Sequence, residues 1–282
     1  MIICHKKEEL RQALDGLSGQ NQSLGFVPTM GALHAGHLSL IKQGLLENTK
    51  MVVSIFVNPT QFDNVSDLEK YPRSLENDLE LLKKLSNDII VYAPSPDDIY
   101  GDDIASENFD FDGLEHQMEG KFRKGHFDGV GTIVKRLFEI VKPDVAYFGK
   151  KDFQQLRIIE KMVEKYHLPV KIIGCEIFRA DDGLAMSSRN ERLTESQREA
   201  VPFIYKILKT AKERFGTESA HEVTEWVVKQ FGKQDLFALE YFTIADEATL
   251  ESVKRKSKLK SYRAFIAVFV GDIRLIDNIA LN

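Results

Sequence analysis

The sequence predicts an α/β protein: a doubly wound parallel sheet followed by a smaller C-terminal α+β domain. Two observations predict it. Short apolar runs rich in β-branched residues alternate with helical patterns up to about residue 176. Such strands, buried on both faces with helices between them, form parallel sheets. The composition then shifts near Ile177, where two helical patterns precede three clustered strand-like runs. The expected domains are 1–176 and 177–282.

Taken in order, the first strand is 24–27, ended by Pro28, after which Leu38, Leu40, Ile41 and Leu45 take helical spacing. Strands follow at 51–57, 89–93, 145–149 and 170–173. A helix over 74–85 aligns Leu75, Leu79, Leu82 and Leu85, and one over 129–141 aligns Ile133, Val134, Leu137, Phe138 and Val141. A helix over 153–166 aligns Leu156, Ile159, Met162, Val163 and Tyr166. The acidic segment 95–107, with a Pro and a Gly, reads as a loop. Beyond Ile177, one amphipathic helix is expected over 194–214 with Thr194 as its cap, and a second over 218–231. Strands are expected at 238–244, 264–270 and 273–276, with Gly271-Asp272 as a tight hairpin between the last two.

Composition bounds the function. The chain has 282 residues, 43% of them hydrophobic, and a net charge of −5. That charge argues against a general nucleic-acid binder but permits a local basic pocket. The two cysteines, Cys4 and Cys175, lie far apart and have no metal-ligand spacing. A reduced, cytoplasmic compartment is expected. The start is too short and charged for a signal peptide, and the longest apolar stretch, 51–57, is about a third of a membrane span.

Four motifs carry chemistry. The first is Phe26-Val-Pro-Thr-Met-Gly-Ala-Leu-His-Ala-Gly-His37. It puts His34 and His37 on a strand-to-helix turn, where a helix N-terminus attracts anions. Imidazoles there can donate to phosphate oxygens as charge develops; the plainer alternative is a pair of capping or surface histidines. The second ends a strand in Asn58-Pro-Thr-Gln61, whose amides suit a substrate with hydroxyl and carboxylate groups; taken alone, the motif reads first as an Asn-Pro turn with a solvated Gln. The third, Tyr147-Phe-Gly-Lys-Lys-Asp-Phe-Gln-Gln-Leu156, runs a strand through Gly149 into Lys150, Lys151 and Asp152, with Gln155 one turn into the helix. Either lysine could neutralise a phosphate, and Asp152 suits a helix cap. The fourth, Ala180-Asp-Asp-Gly-Leu-Ala-Met-Ser-Ser-Arg-Asn190, gathers two hydroxyls and a guanidinium as a phosphate clamp, or else is a polar interdomain loop. Asp181-Asp182 reads as an acidic turn ahead of a magnesium pair. His126 divides evenly between loop scaffold and substrate contact. No Gly-Lys-Ser/Thr phosphate loop is present.

Together and in this order, the four motifs resemble the pantoate–β-alanine ligase family, from about Gly25 to Arg192 and, weakly, through Arg274-Leu-Ile-Asp-Asn-Ile279. The resemblance implies a Rossmann-like domain, a small C-terminal lid and a homodimer. It implies a two-step reaction in which ATP and pantoate give pantoyl adenylate, which β-alanine converts to pantothenate and AMP. By that likeness Met30, Gly31, Ala32, Leu33, His34, Ala35, Gly36 and His37 line the ATP site. Gly149, Lys150, Lys151, Asp152, Met186, Ser187, Ser188 and Arg189 join them, and Phe178 adds a backbone contact near the adenine. His34 and His37 would stabilise phosphates, the second as proton donor, with Lys151 and Arg189 assisting. Gln61 and Gln155 would hold pantoate, Asn58 would support that pocket, and Mg2+ would accompany ATP, with its ligands unassigned. Lys124 stands where the family usually has Pro. Membranes and nucleic acid are not expected as partners. A nucleotidylyltransferase of the same fold would not need Gln61 and Gln155, and an inactive ATP sensor would have lost motif residues.

Overall fold

Short apolar segments at the centre of the chain pair side by side because helices cover them from above and below. The computed structural model describes residues 1–15, 22–62, 68–69 and 71–282. These divide into two compact units. The first comprises Met1–Glu115, Glu119–Lys150 and Gln155–Glu176; the second comprises His116–Met118, Lys151–Gln154 and Ile177–Asn282.

The first unit is built on strands β1 (Ile2–Cys4), β2 (Leu24–Thr29), β3 (Lys50–Ile55), β4 (Ile89–Tyr92), β5 (Val145–Gly149) and β6 (Lys171–Cys175). They form one parallel sheet in the order β1-β4-β3-β2-β5-β6. From β2 the chain winds outward through β3 and β4, then returns to lay β5 and β6 on the other side. The order therefore reverses between β2 and β5, and ligand crevices of open α/β sheets lie at the carboxyl ends of strands at such a point.

One face buries Val27, Val53 and Val91 against Leu40 and Ile41 of the helix Ala35–Glu47 and Leu82 of the helix Leu75–Leu85. On the other, the Phe138 ring of the helix His126–Val141 meets Phe26 of β2 at 6.3 Å and Phe148 of β5 at 6.4 Å. Covering both faces removes the polar alternation of a half-exposed strand.

Three expectations need correction in this unit. Pro28 does not end β2, which pairs with β3 as far as Thr29 and Ile55. Pairing of β2 with β5 is confined to Gly25 and Phe26, and Pro28 has no N–H to offer a neighbour. A first strand and helix, Ile2–Cys4 and Lys7–Asp15, precede those expected. The segment 95–107 contains a helical turn, Pro96–Tyr100, capped by Ser95.

The second unit carries an antiparallel sheet of β7 (Phe237–Asp246), β8 (Tyr262–Val270) and β9 (Ile273–Ala280). Gly271 and Asp272 close the expected hairpin, Val270 facing Ile273, with Gly271 at φ +62. The single helix expected over 194–214 is two: Glu195–Ala200, capped reciprocally by Thr194 and Gln197, and Pro202–Phe215. Pro202 cannot donate to the preceding turn but suits the first position of a new helix. Leu208 and Ala211 of that helix and Val223 and Val227 of the helix Ala220–Phe231 join Ile266, Val268 and Leu275 of the sheet in one core.

Candidate active site

The turn after β2 is held by a side chain from a distant helix. Gly31 and Ala32 adopt left-handed backbone at φ +77 and +49, a conformation that costs a residue with a Cβ. Asp78, buried in the first turn of Leu75–Leu85, offsets that cost. Its two carboxylate oxygens accept from Ala32 N at 3.0 Å and Leu33 N at 2.7 Å. A Cβ at Gly31 would lie 2.9 Å from Asp78 Oδ2, so the approach requires glycine. Asp78 was not among the residues singled out from sequence. Its signal was a carboxylate on the apolar stripe of Leu75, Leu79 and Leu82.

His34 then caps the helix Ala35–Glu47. Its Nδ1 accepts from Gly36 N at 3.1 Å, while His37 Nδ1 accepts from His34 N at 3.3 Å. The histidines are therefore caps, the plainer of the two sequence readings, and the cap has a chemical consequence. A ring nitrogen that accepts from an amide carries no proton, so each neutral ring carries its proton on Nε2. The rings lie 4.0 Å apart between centroids. Two N–H donors on adjacent imidazoles thus accompany the amides of a helix N-terminus, a combination suited to a phosphate.

Gln61 is buried in the 3-10 turn Pro59–Gln61 after β3. Its Nε2 lies 2.8 Å from Met30 Sδ, and its Oε1 accepts from Asn58 Nδ2 at 3.2 Å. Asn58, 1% exposed, also donates to Gly129 O at 3.1 Å and accepts from Thr60 Oγ1 at 3.1 Å and from Tyr100. Burial pushes the Tyr100 hydroxyl up, keeping it a donor. Gly129 allows its helix to touch this turn: a Cβ there would sit 2.3 Å from Thr60 O. His126 resolves as scaffold, its Nδ1 2.8 Å from Gln61 O and its Nε2 3.1 Å from Arg123. Gln155 is half-buried near the start of the helix Phe153–Lys165.

After β5, Gly149 leads into a 3-10 turn, Lys150–Asp152, that runs directly into that helix. The two lysines differ. Lys150 pairs with Glu176, while Lys151 lies 3.6 Å from Asp152 and lines a shallow cleft with Ser187, Asn190, Tyr205 and Asp277. Burial pushes the Asp277 carboxyl up, and the Arg179 guanidinium opposes that shift. Burial raises the Cys175 thiol to about 11.

The fourth motif forms a backbone loop. Met186 N donates to Phe178 O at 3.1 Å, Asn190 Nδ2 to Ala185 O at 3.1 Å, and Ser187 Oγ accepts from Arg189 N at 3.3 Å. Asp182 pairs with Arg198 and accepts from Leu184 N, which makes Asp181-Asp182 a turn. Among the described residues, no group of three or more His, Cys, Asp or Glu side chains could hold a metal ion. Among the same residues, no helix is long and apolar enough to cross a membrane.

Comparison with known proteins identifies the family. A family model described as Pantoate-beta-alanine ligase matches residues 2–280. The pantothenate synthetase of Flavobacterium psychrophilum is 59% identical over 282 residues, the whole of both chains, and that of Christiangramia forsetii is 57% identical over the same span. The crystal structure of pantothenate synthetase from Thermus thermophilus superposes with a TM-score of 0.90 at 36% identity, covering 100% of this chain and 99% of that one. The Francisella tularensis pantoate-beta-alanine ligase, complexed with β-γ ATP and β-alanine, gives 0.80 at 35% identity, covering 100% and 98%. With a match along almost its whole length, the chain belongs to the pantoate–β-alanine ligase family, enzymes that form a carbon–nitrogen bond.

Proposed function

We propose that the protein condenses pantoate with β-alanine at the expense of ATP. The pantoate carboxylate attacks the α-phosphorus of ATP, giving pantoyl adenylate and pyrophosphate. The amine of β-alanine then attacks the acyl carbon, and pantothenate and AMP leave. Adenylation is needed because oxide is a poor leaving group from a carboxylate. Holding amine and anhydride together makes the second step effectively unimolecular. The observation that carries the reading is the His34–His37 cap: two neutral imidazoles with their protons on Nε2 at a helix start beside the point where the sheet order reverses.

In this reading the segments Met30 to His37, Gly149 to Asp152 and Met186 to Arg189 bind ATP, with Phe178 near the adenine. His37 and His34 stabilise charge on the phosphates, and Lys151 and Arg189 neutralise the triphosphate. Gln61 and Gln155 hold pantoate, Gln61 being supported by Asn58. Magnesium enters with ATP, held by its phosphates. Residues 1–176 carry pantoate and most of the nucleotide site, and residues 177–282 act as a lid that adds Phe178 and Met186 to Arg189 and excludes water from the labile adenylate. A cytoplasmic homodimer is part of the same proposal.

The test is AMP formation from ATP, pantoate and β-alanine, each omitted in turn. The expected result is AMP only with all three, and pyrophosphate exchange with ATP and pantoate alone. AMP release independent of β-alanine would favour a nucleotidylyltransferase. In the same assay, Lys151→Ala and Arg189→Ala should raise the KM for ATP more than that for pantoate, and a selective rise for pantoate would reverse the assignment.

A further inference from the structure

The last strand carries two buried polar side chains to which the reaction above gives no role. Asn278 on β9 is 1% exposed. Its Oδ1 accepts from Arg263 Nη1 at 2.6 Å. A guanidinium only donates, so this contact fixes the orientation of the amide. Nδ2 is thereby turned to the backbone oxygen of Lys151, 2.8 Å away. Arg263 is itself fixed, by Glu247 Oε1 at 2.8 Å and by stacking 4.1 Å over the ring of Phe153, two residues beyond Lys151.

The neighbouring residue serves the other loop. Asp277 receives both arms of Arg179, at 2.6 and 2.8 Å. Arg179 also donates to Gly183 O at 3.0 Å and lies 3.7 Å over the ring of Tyr205. Its backbone bridges to Ala185, which leads into Met186 and Ser187. Successive side chains of a strand point to opposite faces, so one dipeptide can grip two different segments.

We propose that Asp277 and Asn278 are positioning residues that hold the Lys151 turn and the Ser187–Arg189 loop in fixed mutual register, so that ATP meets them as one preformed clamp. The proposal rests on the assignment of Lys151 and Arg189 to ATP made above. Bidentate Arg–carboxylate geometry and a buried, oriented amide supply the rigidity such a clamp needs.

The test uses Asn278→Asp, which keeps size and the contact with Arg263 but replaces the donor facing Lys151 by an acceptor. Asp277→Asn, which retains one acceptor for Arg179, serves as the second variant. Initial rates with ATP and pantoate varied separately, together with melting temperatures, should show a folded enzyme. Its KM for ATP should rise at least tenfold and its kcat fall, with the KM for pantoate unchanged within twofold. In a Lys151→Ala background, Asn278→Asp should add less than twofold, because the group being positioned is gone. A wild-type response to ATP in both folded variants, an equal rise for both substrates, or full additivity with Lys151→Ala would overturn the positioning role. If Lys151→Ala and Arg189→Ala raise the KM for ATP while these variants do not, positioning fails and the site assignment stands. If Lys151→Ala and Arg189→Ala leave it unchanged, the site assignment fails and takes this proposal with it.

Discussion

At the scale of single residues, the chemistry turns on where protons sit. His37 carries its ring proton on Nε2 because Nδ1 is occupied by the His34 amide. His37→Ala should leave the fold intact and slow adenylation roughly a hundredfold, the usual cost of removing one preorganised donor to developing charge, about 3 kcal/mol. Pyrophosphate exchange at wild-type speed would exclude the role. Gln155 is expected to read a hydroxyl of pantoate. A deoxy analogue should then react far more slowly than pantoate, since each buried group left unpaired costs about 1–3 kcal/mol. Gln155→Ala should narrow that gap, and an inactive mutant with the old preference would show that another group reads the hydroxyl. The histidines and Gln61 were legible because their motifs straddle a change from strand to helix period. Asn278 and Tyr100 were not, because their partners, Lys151 and Asn58, lie 127 and 42 positions away. His126 stayed ambiguous for the same reason: its decisive contact is the Gln61 carbonyl, 65 positions away.

At the scale of elements, the turn after β2 depends on the helix Leu75–Leu85. Asp78→Asn keeps the size of the side chain but exchanges one acceptor for a donor, leaving Ala32 N or Leu33 N unpaired. The expected loss is about 1–3 kcal/mol of stability together with a higher KM for ATP. A melting curve and a nucleotide titration check both, and unchanged values would separate the carboxylate from the turn. Long strongly patterned elements were readable to within a few residues, as with the helix Leu75–Leu85 and strand Val145–Gly149. The first strand was not, since Ile2–Cys4 has only three residues and is recognisable as β by pairing with β4. The helix break at Pro202 was missed because apolar spacing continues through it in Val201, Ile204, Ile207 and Leu208, while the missing N–H acts on hydrogen bonding. Pro28 points in the opposite sense: a proline suggests the end of a strand, but pairing with β3 persists past it.

For the whole molecule, the proposed lid makes the loop that carries Ser187–Arg189 a reporter of closure. Hydrogen exchange should show protection from Gly183 to Asn190 when ATP saturates the enzyme, and unchanged exchange there would argue for a static site. The large sheet has a mechanical property of its own. On either side of the order reversal the strands are well laced, β2 to β3 along six residues and β5 to β6 along five. Across the reversal the ladder shortens to Gly25 and Phe26, with Asp144 N donating to Leu24 O at 3.0 Å at its end. The sheet is therefore two stiff plates joined by a short seam, and the Phe138 ring, lying against Phe26 on one plate and Phe148 on the other, acts as a rivet. Shrinking that ring, as in Phe138→Leu, should soften the seam selectively. Amides of β2 and β5 would exchange faster than those of β3 and β4, and the compliance of the crevice would be tunable from a ring packed beneath the sheet.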